Sequence, residues 1–567
     1  MRIPLGRLGL LGLAMLVAAC DEQKPEEQPP AKFHVGGTLS GLSGSITLRL
    51  NGQEDLTRDA NGPFSFQTQV QDQGDYAVTV ATPPPEQDCT VEGGTGQVAG
   101  ADVDSVRVRC ATRTYSVGGT VEGLDGTLEL SLGGETLRIT TNGPFTFAAK
   151  LPRGGTYAVA VASRPSNQRC TVANGGGTVA GNVTGISVQC VHVYTLDTFQ
   201  TASVVLGQAD FTSKAPDRGG SSNAGTLNNP LGNPALAGGR LYVPDTGANR
   251  VLGFAGVPAA NGASADLVLG QTDFGGFEPG SGQEGLGNPE GLSSDGTRLA
   301  VADVRNSRVL LYSALPASTG ATPALVLGQP DFGPTSTSAG CARTSLGFPE
   351  DVFLGRGKLL VADSANNRVL VWNTLPTSNG APPDLVLGQS SFTTCVENDA
   401  DGNGTRDSTS GASTLWNPTG VWTDGTRLAV ADSYNNRILL WNAFPTRSGQ
   451  PADVVLGQPD FTARAPGLSS TGMNTPYTLA STGQQLFVTD SQNHRVLVWN
   501  AFPAANGTPA DAVLGQPDFT HASPFDPPTG TTPSGRSLNQ PGGVLLAWPH
   551  VVVSDYGNHR LLVFESR

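Results

Sequence analysis

One short pattern recurs six times in the C-terminal two-thirds of this chain, and a polar constellation present in every copy of a repeat is expected to build a scaffold rather than one catalytic centre. The copies are "YVPDTGANRVLGF" from Tyr242, "AVADVRNSRVLLY" from Ala300, "LVADSANNRVLVW" from Leu360, "AVADSYNNRILLW" from Ala429, "FVTDSQNHRVLVW" from Phe487 and "VVSDYGNHRLLVF" from Val552. Between them stands a second element, as "VLGQADF" at Val205, "VLGQTDF" at Val268, "VLGQPDF" at Val326, Val455 and Val513, and "VLGQSSF" at Val386. A third element, "NPEGL" at Asn288 or "NPTGV" at Asn417, precedes each copy of the first. The period of about 60 residues marks a repeat architecture. Three strand segments and an outer "VLGQ" strand give four strands per unit, the content of a propeller blade.

Six such motifs predict a six-bladed β-propeller over residues 193–567. One "VLGQ" segment stands before the first motif and none follows the last. The N-terminal strand near Val205 is therefore expected to pair with the terminal strand and complete the sixth blade, which removes two open sheet edges. The blade positions are Asp245 and Arg250, Asp303 and Arg308, Asp363 and Arg368, Asp432 and Arg437, Asp490 and Arg495, and Asp555 and Arg560. In each, the Asp ends a strand, a turn follows and the Arg begins the next strand. A bidentate carboxylate–guanidinium bond across the hairpin at the blade edge is expected.

The segment "NPTGVWTDGTRLAVADSYNNRILLWN" resembles the NHL repeat, whose pattern runs P-x-G-V, then V-A-D, then N-x-R-V/I. The resemblance covers residues 200 to 567 and implies a propeller in which the Asp and Arg belong to the blade. The units are longer than is usual in that family, mainly after "VLGQxDF".

Residues 33 to 190 contain another module twice. "FHVGGTLSGLSGSITLRLNGQEDLTRDANGPFSFQTQV" returns from Tyr115 as "YSVGGTVEGLDGTLELSLGGETLRITTNGPFTFAAKL". Alternation such as Ile46, Leu48 and Leu50 marks strands buried on one face, and "NGPF" reads as a hairpin turn. Two small antiparallel β-sandwich modules are expected, at 33–112 and 113–192, so the whole chain reads as all-β. Cys89 and Cys110 bracket the end of the first module, and Cys170 and Cys190 the end of the second, which favours pairing within each. Closing a loop of about 20 residues contributes ~3 kcal/mol in the chain-entropy model. The modules resemble Ig-like stalk repeats of bacterial surface proteins, which implies spacers.

At the N-terminus, Arg2 and Arg7 precede an apolar run from Leu8 to Ala19 that is too short to span a bilayer and reads as a signal peptide over 1–20. "VAAC" resembles the bacterial lipobox, which implies lipid attachment at Cys20; the alternative is an ordinary secretory signal with a chance Cys. Residues 21–32, "DEQKPEEQPPAK", are charged and Pro-rich and read as a disordered tether. The expected place is the bacterial cell envelope, lipid-anchored to the membrane, at the outer membrane or cell surface rather than the inner membrane. Lys and Arg total 34 against 48 Asp and Glu, a net charge of −14 with no basic block, which argues against nucleic acid as a partner.

If the repeated positions build the scaffold, the irregular segments after "VLGQxDF" should carry specificity. Cys341 and Cys395 lie in two of them and are expected to bridge; the alternative is two free thiols. After Cys395, "DADGNGTRD" places Asp399, Asp401, Asn403, Thr405 and Asp407 at ligand positions of a calcium loop, with Gly404 at its sharp turn. Ser410 stands where the bidentate acidic ligand belongs, so any Ca²⁺ would be weakly held and structural. The rival reading is a metal-dependent propeller enzyme of the lyase or lactonase type. Six His are present, of which His494 and His559 are repeat variants and His34 and His192 lie at domain starts, leaving His521 and His550, too few for a three-His metal site. No catalytic residue is singled out. The reading is a monomeric binding platform for an envelope or extracellular protein or glycan.

Overall fold

The structure is a computed structural model that describes residues 28–333, 341–526 and 530–567. The signal peptide, Cys20 and most of the tether lie outside the described residues. The chain is all-β, built almost entirely from four-stranded sheets.

Six of these sheets come from the long repeat. The fourth is representative: Pro418–Thr423, Leu428–Asp432, Arg437–Trp441 and Val454–Leu456 are paired antiparallel in chain order. Its second and third strands are buried along their whole length, because both sheet faces pack on neighbours; hence the near-continuous apolar runs instead of alternation. The hairpin between them is a single 3-10 turn, Ser433–Asn435, closed by Asn436 in the left-handed region at φ 55°. Asn, Ser or His holds this position in all six hairpins, and Asn is among the residues that accept it most readily.

The sixth sheet is completed from the other end of the repeat region. Val204–Leu206 pairs antiparallel with the strand Arg560–Glu565, Val205 facing Leu562. Six apolar clusters lie between successive sheets: Tyr242 and Leu299 sit in the one joining the first and second sheets. The last, with Leu241 and Val552, joins the sixth sheet back to the first. The Asn233 side chain also accepts the Val544 N–H at 2.9 Å across that junction.

Each front module is two four-stranded sheets closed on a separate apolar core, one around Leu48, Phe66 and Val108, the other around Leu130, Phe147 and Val188. Two expectations fail here. The modules are not purely antiparallel: Val35–Ser40 runs parallel to Val103–Thr112, and Thr114–Glu122 parallel to Val183–His192. Alternation reports which face is buried and says nothing of a neighbour's direction, and the chain visits the second sheet between these strands. Nor is "NGPF" a hairpin turn. Glu54–Arg58 and Gly62–Ser65 belong to different sheets, and Asn61 fastens the crossover by exchanging side-chain bonds with the Leu42 backbone at 2.8 and 3.2 Å. Cys89–Cys110 and Cys170–Cys190 are bonded, each joining directly facing residues of adjacent strands within one sheet.

Antiparallel pairing sorts the connections of the six sheets by end. The Asp–Arg hairpins, the starts of the first strands and the long segments after "VLGQxDF" share one end. Residues 192–194 sit at the opposite end: His192 stacks on Trp548 at 4.4 Å between ring centres, and the Tyr194 N–H donates to Gln485 at 2.7 Å. Gln485 and Trp548 occupy turns between first and second strands. The front modules therefore attach away from the Asp–Arg end.

Candidate functional site

The twelve repeated Asp and Arg residues are all fully buried. Their bond is not the bidentate edge contact expected from sequence. In the fourth sheet Arg437 donates to Asp432 Oδ2 through Nε alone, at 2.7 Å. Its Nη1 donates to the Phe461 carbonyl at 2.5 Å, and its Nη2 to the carbonyls of Gly411 and Thr414 at 2.9 and 3.1 Å. Asp432 Oδ2 also accepts from Asn435, and Oδ1 accepts the Trp416 N–H at 2.7 Å. The pair thus clips two long connections onto the hairpin, the one entering the sheet and the one leaving it. A guanidinium carries more donors than one carboxylate can accept, and burial requires partners for the rest.

The same wiring recurs. Arg250, Arg368, Arg495 and Arg560 each donate Nη1 to the carbonyl of the Phe that ends a "VLGQxDF" segment. For Arg560 that residue is Phe211, so this clip also closes the sixth sheet on its N-terminal strand. The recurring Gln secures the hairpin's last residue, since Gln458 Nε2 donates to the carbonyl of left-handed Asn436 at 3.0 Å. Burial pushes Asp245 and Asp303 up to about 6, against the opposing pull of Arg250 and Arg308.

The histidines inside the repeat do the work of asparagine. Asn436 Oδ1 accepts the Thr475 N–H at 2.8 Å and ties one sheet to the next; His494 Nδ1 accepts the Gln540 N–H at 3.1 Å, and His559 Nδ1 the Asn229 N–H at 3.0 Å. Burial lowers both histidines below their ordinary range, consistent with an unprotonated acceptor nitrogen.

Two expected loop features share the same end of the sheets. Cys341 and Cys395 are bonded across the connections into the third and fourth sheets. Asp399, Asp401 and Asp407 bring carboxylate oxygens within 4.8 Å of one another. The Asn403 and Gly404 N–H groups donate to Asp399 at 3.0 Å each, and Gly404 takes φ 82°. Asn403 Oδ1 is engaged by the Thr405 N–H at 2.8 Å. Ser410 is committed elsewhere, donating to the Phe461 carbonyl and receiving Arg437.

Sequence reading missed a group carried near the starts of the first strands. The residue after the Pro that leads into each first strand differs from unit to unit: Leu231, Glu290, Glu350, Thr419, Tyr477, Gly542. A cavity of 460 Å³ is lined by Glu290, Glu350, Phe348, Arg305 and Tyr556. An adjoining compartment of 220 Å³ shares Glu350, Leu231 and Tyr556 and adds Tyr434, Thr419 and Tyr477. The Tyr477 hydroxyl donates to Glu290 Oε2 at 2.7 Å. Asp351, next to Glu350, is 1 % exposed; its Oδ2 accepts the Val421 N–H at 2.9 Å, while Oδ1 has no partner. Glu350 Oε2 is also buried without a partner. Burial and mutual repulsion push Glu290 and Glu350 well above the carboxylate range, and burial holds Asp351 at about 7. The available signal was the contrast within the repeat, an acidic residue in two adjacent units at a position filled differently in the others.

No family model matches the chain, and no curated protein matches it. Among solved structures, matches include a nidogen/laminin complex, at 16% identity over 48% of this chain and 76% of the other with a TM-score of 0.27. Another is the computationally designed Ika8 protein, at 10% identity over 79% and 98% with a TM-score of 0.29. A third is the hydrazine synthase of Kuenenia stuttgartiensis, at 13% identity over 60% and 96% with a TM-score of 0.32.

Proposed function

We propose that the chain is an exported, lipid-anchored cell-envelope protein in which two Ig-like modules carry a six-bladed propeller of the NHL-repeat kind. The propeller serves as a binding platform for an envelope or extracellular protein or glycan. One observation carries this reading: the side chains repeated in all six sheets are consumed inside the fold, while the unrepeated ones gather at the end away from the front modules. The sheet order, the six shared apolar interfaces and the pairing of Val205 with Leu562 support the propeller. The "VAAC" segment and the Pro-rich spacer support an anchor at Cys20, with the modules holding the platform clear of the membrane. Ca²⁺ at Asp399, Asp401, Asn403, Thr405 and Asp407 is proposed to stiffen one connection on the binding face, not to act in chemistry.

The test compares the purified mature chain with a Phe348→Ser, Tyr434→Ser variant on peptide and glycan arrays. Binding that the variant loses is the expected result; no binding, or binding indifferent to these residues, removes the platform reading. Labelling with radioactive palmitate that disappears in Cys20→Ser checks the anchor.

A further inference from the structure

The cavity holds three carboxylates that no residue of the chain neutralises. Glu290 and Glu350 line it, and Asp351 lies beside both. Arg305 stands exposed on the rim and forms no ion pair with any of them among the described residues. The six hairpin carboxylates show how this fold treats a buried acid that serves architecture: each receives a guanidinium and a backbone N–H. Asp351 Oδ1 and Glu350 Oε2 receive nothing. A buried acceptor without a donor costs stability, and Glu350 lines a cavity that a donor from outside can enter.

The donor's chemistry follows from spacing and from the walls. Calcium binds oxygens at about 2.3–2.6 Å, so its ligand atoms must crowd together. Asp399, Asp401 and Asp407 converge within 4.8 Å, and no other set of three acidic, His or Cys residues does so among the described residues. The three cavity carboxylates do not converge in this way. A hydrogen-bonding organic cation needs no such convergence and delivers several charged donors. The mouth fits the remainder of such a molecule. Phe348 is 49% exposed and Tyr434 51%, two of the few large apolar side chains so placed. Phe348 stands at φ 48°, a left-handed conformation that bulky residues avoid and that Asn supplies in the first, second and fourth units. Aromatic faces attract cations and their alkyl stems.

We propose that the cavity binds an organic cation of the alkylammonium or guanidinium class, its charged head on Glu290 and Glu350 with Asp351 behind them, and its stem against Phe348 and Tyr434. This deepens the binding-platform reading and rests on it. The cation is either a free amine or a Lys or Arg side chain presented by a partner.

The experiment is calorimetric titration of the mature chain at pH 8 with n-butylammonium chloride, butylguanidinium chloride, Nα-acetyl-lysine amide and calcium chloride. One-to-one saturation by at least one of the three organic cations below roughly 10 mM is expected. Glu350→Gln should weaken it about tenfold or more, while Asp399→Asn with Asp401→Asn should leave it unchanged. A melting curve shows whether the Glu350→Gln chain is folded, and Phe348→Ala, which leaves all three carboxylates in the chain, should also weaken binding. Saturation by butylammonium identifies a free amine, and saturation by the lysine derivative alone identifies a presented side chain. No saturation by any of the organic cations, equal binding to Glu350→Gln, or displacement of the amine by stoichiometric calcium overturns the proposal. Array binders that survive Glu350→Gln but not the Phe348, Tyr434 variant would overturn this cation assignment while leaving the platform reading standing.

Discussion

The Asp–Arg hairpins and the cavity lined by Glu290 and Glu350 both bury carboxylates, and they treat them in opposite ways. Asp432 is fully buried and accepts from Arg437, Asn435 and the Trp416 backbone. Asp351 is 1 % exposed and leaves one oxygen bare. Both acids are desolvated to a similar degree, so burial alone does not separate a structural charge from a binding one. What separates them is whether the chain supplies the donors. Repetition sharpens the contrast: the satisfied acids occur six times in one register, while the bare ones, Glu350 and Asp351, are neighbours in a single unit.

The strongest way to break this comparison is to remove a donor at the hairpin end. Arg560→Leu leaves Asp555 buried with its main partner gone and unties Phe211, so it should cost about 3–5 kcal/mol in urea unfolding of the six-sheet region. A loss under 1 kcal/mol would mean that the clips are dispensable.

A second cut separates the front modules from the sheets behind them. The modules have no buried Asp–Arg pair and rely on a small core and one cystine each. Replacing Cys89 and Cys110 by Ser should cost the first module ~3 kcal/mol. The melting transition of the six-sheet region should stay in place; if it moves with the module, the two regions are not independent.

The pH dependence of stability should show both behaviours with opposite signs. At the cavity the folded state keeps protons on Glu290, Glu350 and Asp351 after the unfolded chain has released them. Their contribution is therefore full below the ordinary carboxylate range and is lost as pH rises through about 7 for Asp351 and about 8 for Glu350, and Glu350→Gln with Asp351→Asn should flatten that fall. Burial lowers His494 and His559, so the unfolded chain protonates first on acidification and stability falls below pH ~6.5. Asn at both positions should remove the acid limb. Melting temperatures from pH 5 to 8 for these variants decide it; a profile unmoved by either pair contradicts the assignments.

The smallest expected effect is at the loop of Asp399, Asp401 and Asp407. Calcium at tenfold excess over its dissociation constant stabilises what it binds by about 1.4 kcal/mol. It should slow proteolytic cleavage near residue 403 in the native chain and leave Asp401→Asn unaffected. Equal cleavage with and without calcium excludes the ion.

Much of this was legible from the sequence, for reasons that particular residues make plain. Repetition showed Asp432 and Arg437 to be scaffold, and the displaced "VLGQ" at Val205 pointed to the terminal strand it pairs with. What the sequence concealed was where the donors go. Arg437 reaches the carbonyls of Gly411, Thr414 and Phe461, and backbone carbonyls have no letter code. "NGPF" misled because a turn motif reports local reversal and not which sheet receives the next strand. Glu290 and Glu350 were hidden by lying inside a repeat motif that reads as structural, one position past its Pro.

The most direct measurement is urea unfolding at pH 7.5 of two variants side by side, Asp432→Asn and the Glu350→Gln, Asp351→Asn pair, each against the native chain without added ligand. The account predicts opposite signs: the hairpin change lowers the midpoint, and the cavity changes raise it, because they remove desolvated acids that each leave one oxygen without a donor. Cavity changes that destabilise the chain as much as the hairpin change would contradict it, placing those carboxylates in the scaffold.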